Sequence, residues 1–407
     1  MYADKSMTKG ETGEVRSRWP RYEEDEIAAV TDVLRSGRVN ALVHGDRCRA
    51  FEAAFADFCG VPHAIALANG TLALELALRA LGIGPGDEVI VPARSFFASA
   101  SCVVAVGATP VFADVDPVSQ AIAPDSVRAM LTPHTRAVLC VHLAGWPCEM
   151  DALMEICERH SLFLIEDCAQ AHGALYRGRM AGSFGDAAAF SFCTDKIMST
   201  GGEGGMLLLR NQAVWERAWS WKDHGKNPHK LINPPPGNSF RWIHDGFGSN
   251  YRMTEMQAAI GLVQLEKLSG WLARRRRNAS LLDTLLSGEA MVRLAVPPDH
   301  IGHARYKYYA FIEPHHLPPG RNRDDMIAEM ATLGLPCASG SCPEIYREDA
   351  FSNSPARPAQ PMPTAKALGE SSLMLPVDHT LGDEDMRRLG GALRSIFSNW
   401  SQQVRAA

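Results

Sequence analysis

Between residues 63 and 210 the chain alternates between short apolar runs and helical patterns, and this alternation constrains the fold more than any other feature. The apolar runs fall at 64–68, 88–92, 110–114, 137–142, 162–166, 187–192 and 206–209. Helical patterns at 71–81, 97–106, 124–131 and 150–160 separate the earlier ones. Parallel neighbours need a long crossover, which a helix supplies, so the pattern predicts βαβ units and an α/β fold with a mostly parallel seven-stranded sheet between helices. The runs carry Val, Ile, Leu and Ala on both faces, as strands covered on both sides do. No long helix separates the last two runs, which predicts antiparallel pairing or a tight crossover near the sheet edge.

Residues 23–36 form one amphipathic helix, with Ile27, Val30, Val33 and Leu34 at helical spacing and Gly37 as its stop. Residues 227–248 are rich in Pro, Gly, Asn and His, and the run 233–238 suits neither a helix nor a central strand. A long helix with room for a break follows over 253–286, with Thr254 as N-cap. The four arginines at 274–277 lie on a solvated or subunit-contacting face. From residue 289 the pattern turns mixed, with a strand at 308–312 and helices at 323–333 and 384–397. The expected organisation is a disordered leader at 1–18, a large α/β domain at 19–268 and a smaller α+β domain at 269–407.

Composition narrows the function class. The hydrophobic fraction is 46% and the charged fraction 21%, ordinary for a globular chain able to bury a large core. With 41 Lys+Arg against 46 Asp+Glu, no global basic field exists for nucleic acid. The apolar runs are too short to span a bilayer. The ten cysteines are scattered and form no C-x-x-C pair, so no zinc-ribbon or other metal site is expected. Reduced thiols and the lack of an apolar export segment point to the cytoplasm.

Common cofactor motifs fail on context. Gly82-Ile83-Gly84-Pro85-Gly86 follows a helix instead of a strand, and neither a P-loop nor a Gly-x-Ser-x-Gly elbow is present. Four other segments carry chemistry. Asn69-Gly70-Thr71 is a strand-to-helix turn that presents backbone N–H groups to an anion. Ile165-Glu166-Asp167 delivers a carboxylate to the carboxyl end of the sheet, where open α/β folds bind ligands and where it suits a cationic ring nitrogen. Lys196 follows an apolar strand and precedes the Gly-rich turn 201–205, a setting for a partly desolvated, nucleophilic amine. Gly248-Ser249-Asn250-Tyr251-Arg252-Met253 leads into the long helix.

In this order, together with Pro92-Ala93-Arg94-Ser95-Phe96, Ser191 and Glu255-x-Gln257-Ala258-Ala259, these segments resemble the DegT/DnrJ/EryC1/StrS family of sugar aminotransferases. The resemblance covers 19–268 well and the remainder more loosely. It implies the fold of type I pyridoxal-phosphate (PLP) enzymes and PLP as cofactor. It makes Lys196 the residue that holds PLP and shuttles the proton, with Asp167 on the pyridine nitrogen. Phe96 would stack on the ring. Gly70, Thr71 and Ser191 would bind the phosphate, Gln170 would approach the ring hydroxyl, and Asn250 would reach the phosphate of a neighbouring subunit in a homodimer with active sites at the interface. The implied reaction is transfer of an amine from an amino acid, L-glutamate, to a nucleotide-linked keto-deoxysugar. The alternatives are a PLP-dependent sugar dehydratase or lyase and a non-catalytic PLP-binding or sugar-nucleotide-binding regulator. Family members that dehydrate sugars have histidine in place of the lysine, so Lys196 argues for transamination. His224, Lys230, Arg241, Arg305, Tyr306 and Tyr308 are substrate-contact candidates, and the loop 227–248 is either a nucleotide clamp or a subunit contact.

Overall fold

A computed structural model describes residues 15–232 and 240–406; residues 1–14 and the proline run at 233–238 lie outside the described residues. Two helices, α1 (Glu24–Ser36) and α2 (Asp46–Cys59), precede the alternating block. The block runs β1 (His63–Leu67), α3 (Gly70–Ala80), β2 (Glu88–Pro92), α4 (Ala98–Ala105), β3 (Thr109–Ala113), α5 (Pro124–Ala129), β4 (Thr135–Val141), α6 (Met150–His160) and β5 (Phe163–Asp167). A small excursion, β6 (Leu175–Tyr176) and β7 (Arg179–Met180), leads to β8 (Ala187–Ser191) and β9 (Gly205–Leu209). Then come α7 (Gln212–Lys222), α8 (Pro228–Ile232) and the 32-residue α9 (Glu255–Leu286). The C-terminal part holds β10 (Val292–Leu294), β11 (Ile301–Gly302), β12 (Tyr308–Ile312), α10 (Arg323–Thr332), α11 (Pro363–Ser371), β13 (Ser372–Leu375) and α12 (Asp383–Ala406).

The seven-stranded sheet has the order β1-β9-β8-β5-β4-β2-β3. Its pairs β2–β3, β2–β4, β4–β5 and β5–β8 are parallel. β9 runs antiparallel between β8 and β1, so the helix-free connection from β8 to β9 is an antiparallel return. Alternation along each strand fills two cores. Ile65, Leu67, Ala187, Ala189, Leu207 and Leu209 face one, and Ala64, Ala66, Ala188, Phe190, Met206 and Leu208 face the other. Both faces are therefore covered, as the all-apolar runs predict.

A second sheet, β10-β12-β13, packs with α10, α12 and the C-terminal half of α9 around Ala279, Leu282, Tyr308, Met326 and Trp400. α9 is continuous and crosses the expected boundary at residue 268, packing α1 and α2 at one end and α12 further along. Two expectations are corrected here. The last residues of the expected leader are packed: Val15 is buried in the C-terminal core, and the Arg18 N–H donates to Thr380 Oγ1 at 3.0 Å. The arginine run is not a single solvated face, because consecutive helical residues point about 100° apart. Arg274 and Arg277 reach Asp383 at the start of α12, while Arg275 turns inward and donates to the carbonyls of Arg305 (3.4 Å) and Tyr306 (3.2 Å). No helix among the described residues is long and apolar enough to cross a membrane.

Candidate active site

The carboxyl ends of β1, β5 and β8 converge on Lys196. Beyond β8 the chain makes a tight turn in which the Lys196 N–H donates to Cys193 O and the Thr194 N–H to Gly202 O, each at 3.0 Å. Gly202 has φ +115°, a conformation that L side chains rarely adopt. The Lys196 side chain is only 15% exposed, and its Nζ lies 3.7 Å from Asp195 Oδ1. It also sits 5.2 Å from the centre of the Tyr306 ring, whose hydroxyl donates to the second Asp195 oxygen. The Lys307 ammonium lies 5.0 Å from the same ring. Burial works against ionisation of Asp195, but Lys196 and the Tyr306 hydroxyl hold its carboxyl below the ordinary range. From below, the Trp19 indole N–H donates to Lys196 O at 2.7 Å.

Asp167 ends β5 beside β8, in register with Ala189, and is 6% exposed. Its Oδ2 accepts from Ser99 Oγ at 2.9 Å and its Oδ1 from the Ala169 N–H at 3.1 Å. Burial raises its pKa; these donors and the charge of Lys196 oppose that rise. The next shell fixes the backbone. The His142 N–H donates to Asp167 O at 3.1 Å, and the His142 ring lies between Glu166 (3.0 Å from Nε2) and the Cys148 N–H (3.0 Å from Nδ1). Gln170 is turned toward the loop after β4, where its Oε1 accepts from the Ala144 N–H at 2.7 Å.

The start of α3 packs against Ser191 at the end of β8. Asn69 caps the helix by accepting from the Leu72 N–H at 2.9 Å, so its side chain is occupied in capping. The amides of Gly70 and Thr71 belong to the first turn, which has no intrahelical acceptors for them. Gly70 packs so closely on β8 that an added Cβ would lie 2.7 Å from Ser191 Cβ. A helix N-terminus, a hydroxyl and a glycine cradle thus stand together, an arrangement suited to a phosphate.

The remaining candidates separate. Phe96 is 65% exposed on the turn between β2 and α4. Asn250 is exposed on a loop anchored to the end of β1: Leu67 bridges Arg252, Asp223 bridges Asn250, and the buried Asp223 carboxylate pairs with Arg252 and, at 2.9 Å, with Lys222. His224 is exposed on that loop. Lys230 pairs with Asp245 at 2.5 Å, and Arg241 donates to Lys230 O at 3.0 Å, so these two are occupied within their own loop. Tyr306 alone among the substrate candidates stands beside Lys196. Tyr308 points instead into the C-terminal core and donates to Asp283 at 2.9 Å, and Arg305 pairs with the same carboxylate at 3.5 Å. Lys307, Ser99 and the Asp223–Arg252 pair are not among the expected residues. No single-residue signal marks them, because each acquires its partner only when distant segments meet. Cys168 is fully buried with its thiol pushed up to about 12 by burial, and the Cys193 thiol is also raised by burial, so neither is an activated thiolate.

The chain is similar to known proteins over most of its length. Residues 20–394 match the profile of the DegT/DnrJ/EryC1/StrS aminotransferase family. A GDP-perosamine synthase from Caulobacter vibrioides is 38% identical over 348 residues, which cover 85% of this chain and 89% of that protein. An L-glutamine:2-deoxy-scyllo-inosose aminotransferase from Streptomyces fradiae is 40% identical over 331 residues, covering 78% of this chain and 76% of that one. The X-ray structure of an aminotransferase from Psychrobacter cryohalolentis superposes with a TM-score of 0.92 at 45% identity, over 94% of this chain and 99% of the other.

Proposed function

Because the chain belongs to the DegT/DnrJ/EryC1/StrS aminotransferase family, whose members depend on PLP, we propose that it transfers an amine from an amino acid, L-glutamate, to the keto group of a nucleotide-linked deoxysugar. The observation that carries this reading is the placement of Lys196: covered, beside Tyr306 and Asp195, and close enough for its charge to act on Asp167. The residues present fit the cofactor. Gly70 and Thr71 offer first-turn amides for its phosphate, Ser191 offers a hydroxyl, and among the described residues the buried Asp167 accepts from Ser99 and the Ala169 N–H.

When bound, PLP supplies an electron sink for the donor's Cα–H bond. In this reading Lys196 would hold the cofactor through Nζ, and the same amine would take up the proton released from the donor's Cα. Asp167 would pair with the ring nitrogen and keep it protonated. Phe96 would cover a ring face, Gln170 would serve the ring hydroxyl, and Asn250 would serve the phosphate of a second subunit. Tyr306, beside Lys196, would border the substrate space. The GDP-perosamine synthase from Caulobacter favours a nucleotide-linked substrate; the Streptomyces relative is an L-glutamine:2-deoxy-scyllo-inosose aminotransferase.

The test has two parts. The purified protein with PLP is expected to show a visible band that Lys196→Ala abolishes. A panel of UDP-, GDP- and dTDP-linked keto-sugars and 2-deoxy-scyllo-inosose, each with glutamate or glutamine, then identifies the substrate by release of the 2-oxo acid. No visible band in the wild type, or no turnover of any nucleotide-linked member, sinks the reading.

A further inference from the structure

Asp167 is reached by a two-hydroxyl chain that neither the family match nor the relatives' names assign. Ser99 Oγ donates to Asp167 Oδ2 at 2.9 Å, and Ser95 Oγ lies 3.0 Å from Ser99 Oγ. Both serines are buried, with 0% and 1% exposure for Ser99 and Ser95, so water does not compete for these bonds. A hydroxyl has one proton to give. When Asp167 is ionised, Ser99 must spend that proton on the carboxylate, and Ser95 must then donate to Ser99. The polarity of the chain is thereby fixed: Ser95 O–H to Ser99 O–H to carboxylate. Successive donors in a dry setting strengthen one another. The two serines also flank Phe96, and the Ser99 N–H donates to Phe96 O at 3.1 Å. One turn therefore carries both the exposed aromatic ring and the hydroxyls that face the carboxylate.

We propose that Ser99, backed by Ser95, is a positioning residue that holds Asp167 as an aimed carboxylate and so sets how firmly the ring nitrogen of PLP keeps its proton. The inference rests on the reading of Asp167 as the partner of that nitrogen. Without the proton donated by Ser99, Asp167 is a stronger base and draws the ring proton toward itself. The ring then withdraws fewer electrons, and the nitrogen that joins Lys196 to the cofactor becomes more basic. The titratable groups that face Asp167 are Lys196, His142, Cys102 and Cys168, and all four remain in the variants below.

The experiment compares wild type, Ser99→Ala, Ser95→Ala, Ser99→Thr and Asp167→Asn. Three quantities are measured: the dissociation constant of PLP from the apoprotein, the pH midpoint of the visible band of the loaded protein, and the melting temperature of the apoprotein. Ser99→Ala is expected to weaken PLP about tenfold and raise the midpoint by about one pH unit, as loss of one hydrogen bond to a charged group implies. Ser95→Ala should move both in the same direction by less, and it keeps the idea testable if Ser99→Ala does not fold. Ser99→Thr, which retains a hydroxyl, should restore the wild-type midpoint. A lower melting temperature with an unmoved midpoint in both alanine variants would show a merely structural role and overturn the proposal. If Asp167→Asn also leaves PLP affinity and midpoint unchanged, the reading of Asp167 itself fails. If Asp167→Asn is impaired while both serine variants are normal, only the role of Ser99 fails.

Discussion

Glu166 and Asp167 are neighbours on β5, and strand alternation sends their carboxylates to opposite faces of the sheet. Glu166 is fully buried. Its Oε1 accepts from the N–H groups of Phe184 and Gly185, each at 2.8 Å. Its Oε2 accepts from the Gly182 N–H at 2.8 Å and lies 3.0 Å from His142 Nε2. Burial works against ionisation, but His142 and the backbone donors hold the carboxyl below the ordinary range. Glu166→Gln is isosteric, yet either orientation of the amide sets an NH₂ against at least one backbone N–H. The expected loss is about 3 kcal/mol, comparable to breaking a buried charged pair, read from the urea midpoint at unchanged slope. A loss under about 1 kcal/mol would mean that the loop of Gly182, Phe184 and Gly185 relaxes away from the carboxylate. The sequence exposes Asp167 because a carboxylate at a strand's carboxyl end is a recognisable pattern. Glu166 carries no such mark, since its donors come from a loop whose path is decided by the excursion through β6 and β7.

At the scale of elements, most βα units are legible within a residue or two because their signal is local. α2 is the instructive omission. Its apolar positions Phe51, Phe55 and Cys59 have helical spacing, but its N-cap is Gly45, which contributes no side-chain cap. The cap comes instead from Glu255 at the start of α9, whose two oxygens accept from the N–H groups of Arg47 (2.7 Å) and Cys48 (3.0 Å). A start signal that lies some two hundred residues away is invisible to any window along the chain. α12 is likewise longer than its periodicity suggests, because Trp400 remains buried and donates to Glu329 at 2.9 Å. The junction of α9 and α12 is electrostatic: Asp383 accepts from Arg277 and Arg274. The Arg277 hydrogen bond, with the charges of Arg277 and Arg274, lowers the Asp383 pKa from 3.8 to about 2. A depressed carboxylate pKa gives stability that is present above the unfolded value and lost as pH falls through the folded one. The melting temperatures of wild type and Asp383→Asn should therefore differ above pH 4 and converge as pH falls from about 4 to about 2. Solvent reaches the half-buried Asp383 and its exposed arginine partners, so the gap should also shrink in high salt. A gap that stays constant down to the lowest pH would remove the ion pair as its cause.

The whole molecule leaves part of its likeness to a site unfinished. Phe240, Trp242 and Phe247 are 79%, 84% and 96% exposed, all on the loop that ends at Asn250, and Phe96 is open as well. The Phe240 and Trp242 rings meet edge to face with centres 4.9 Å apart, and exposed aromatic side chains grouped on one loop suit a surface to be covered. The Asp223–Arg252 pair holds the Asn250 end of that loop rigidly against β1, which suits presentation to another chain. The expected assembly is a twofold dimer in which Asn250 completes its partner's site, and mixing two defective variants tests it. Lys196→Ala lacks the lysine, and Asn250→Ala lacks the phosphate contact. In a mixed dimer with Asn250 acting across the interface, the subunit that keeps Lys196 receives an intact Asn250 from its partner. Its site is then wild type in every residue, while the other site lacks both. Statistical exchange makes half of the dimers mixed, so about one quarter of all sites should recover full activity, as twofold symmetry requires. If Asn250 acts within its own chain, every site carries one defect and mixing adds nothing beyond the average of the parents. Sedimentation of each variant at twice the 44.4 kDa chain mass separates failure to dimerise from failure to complement.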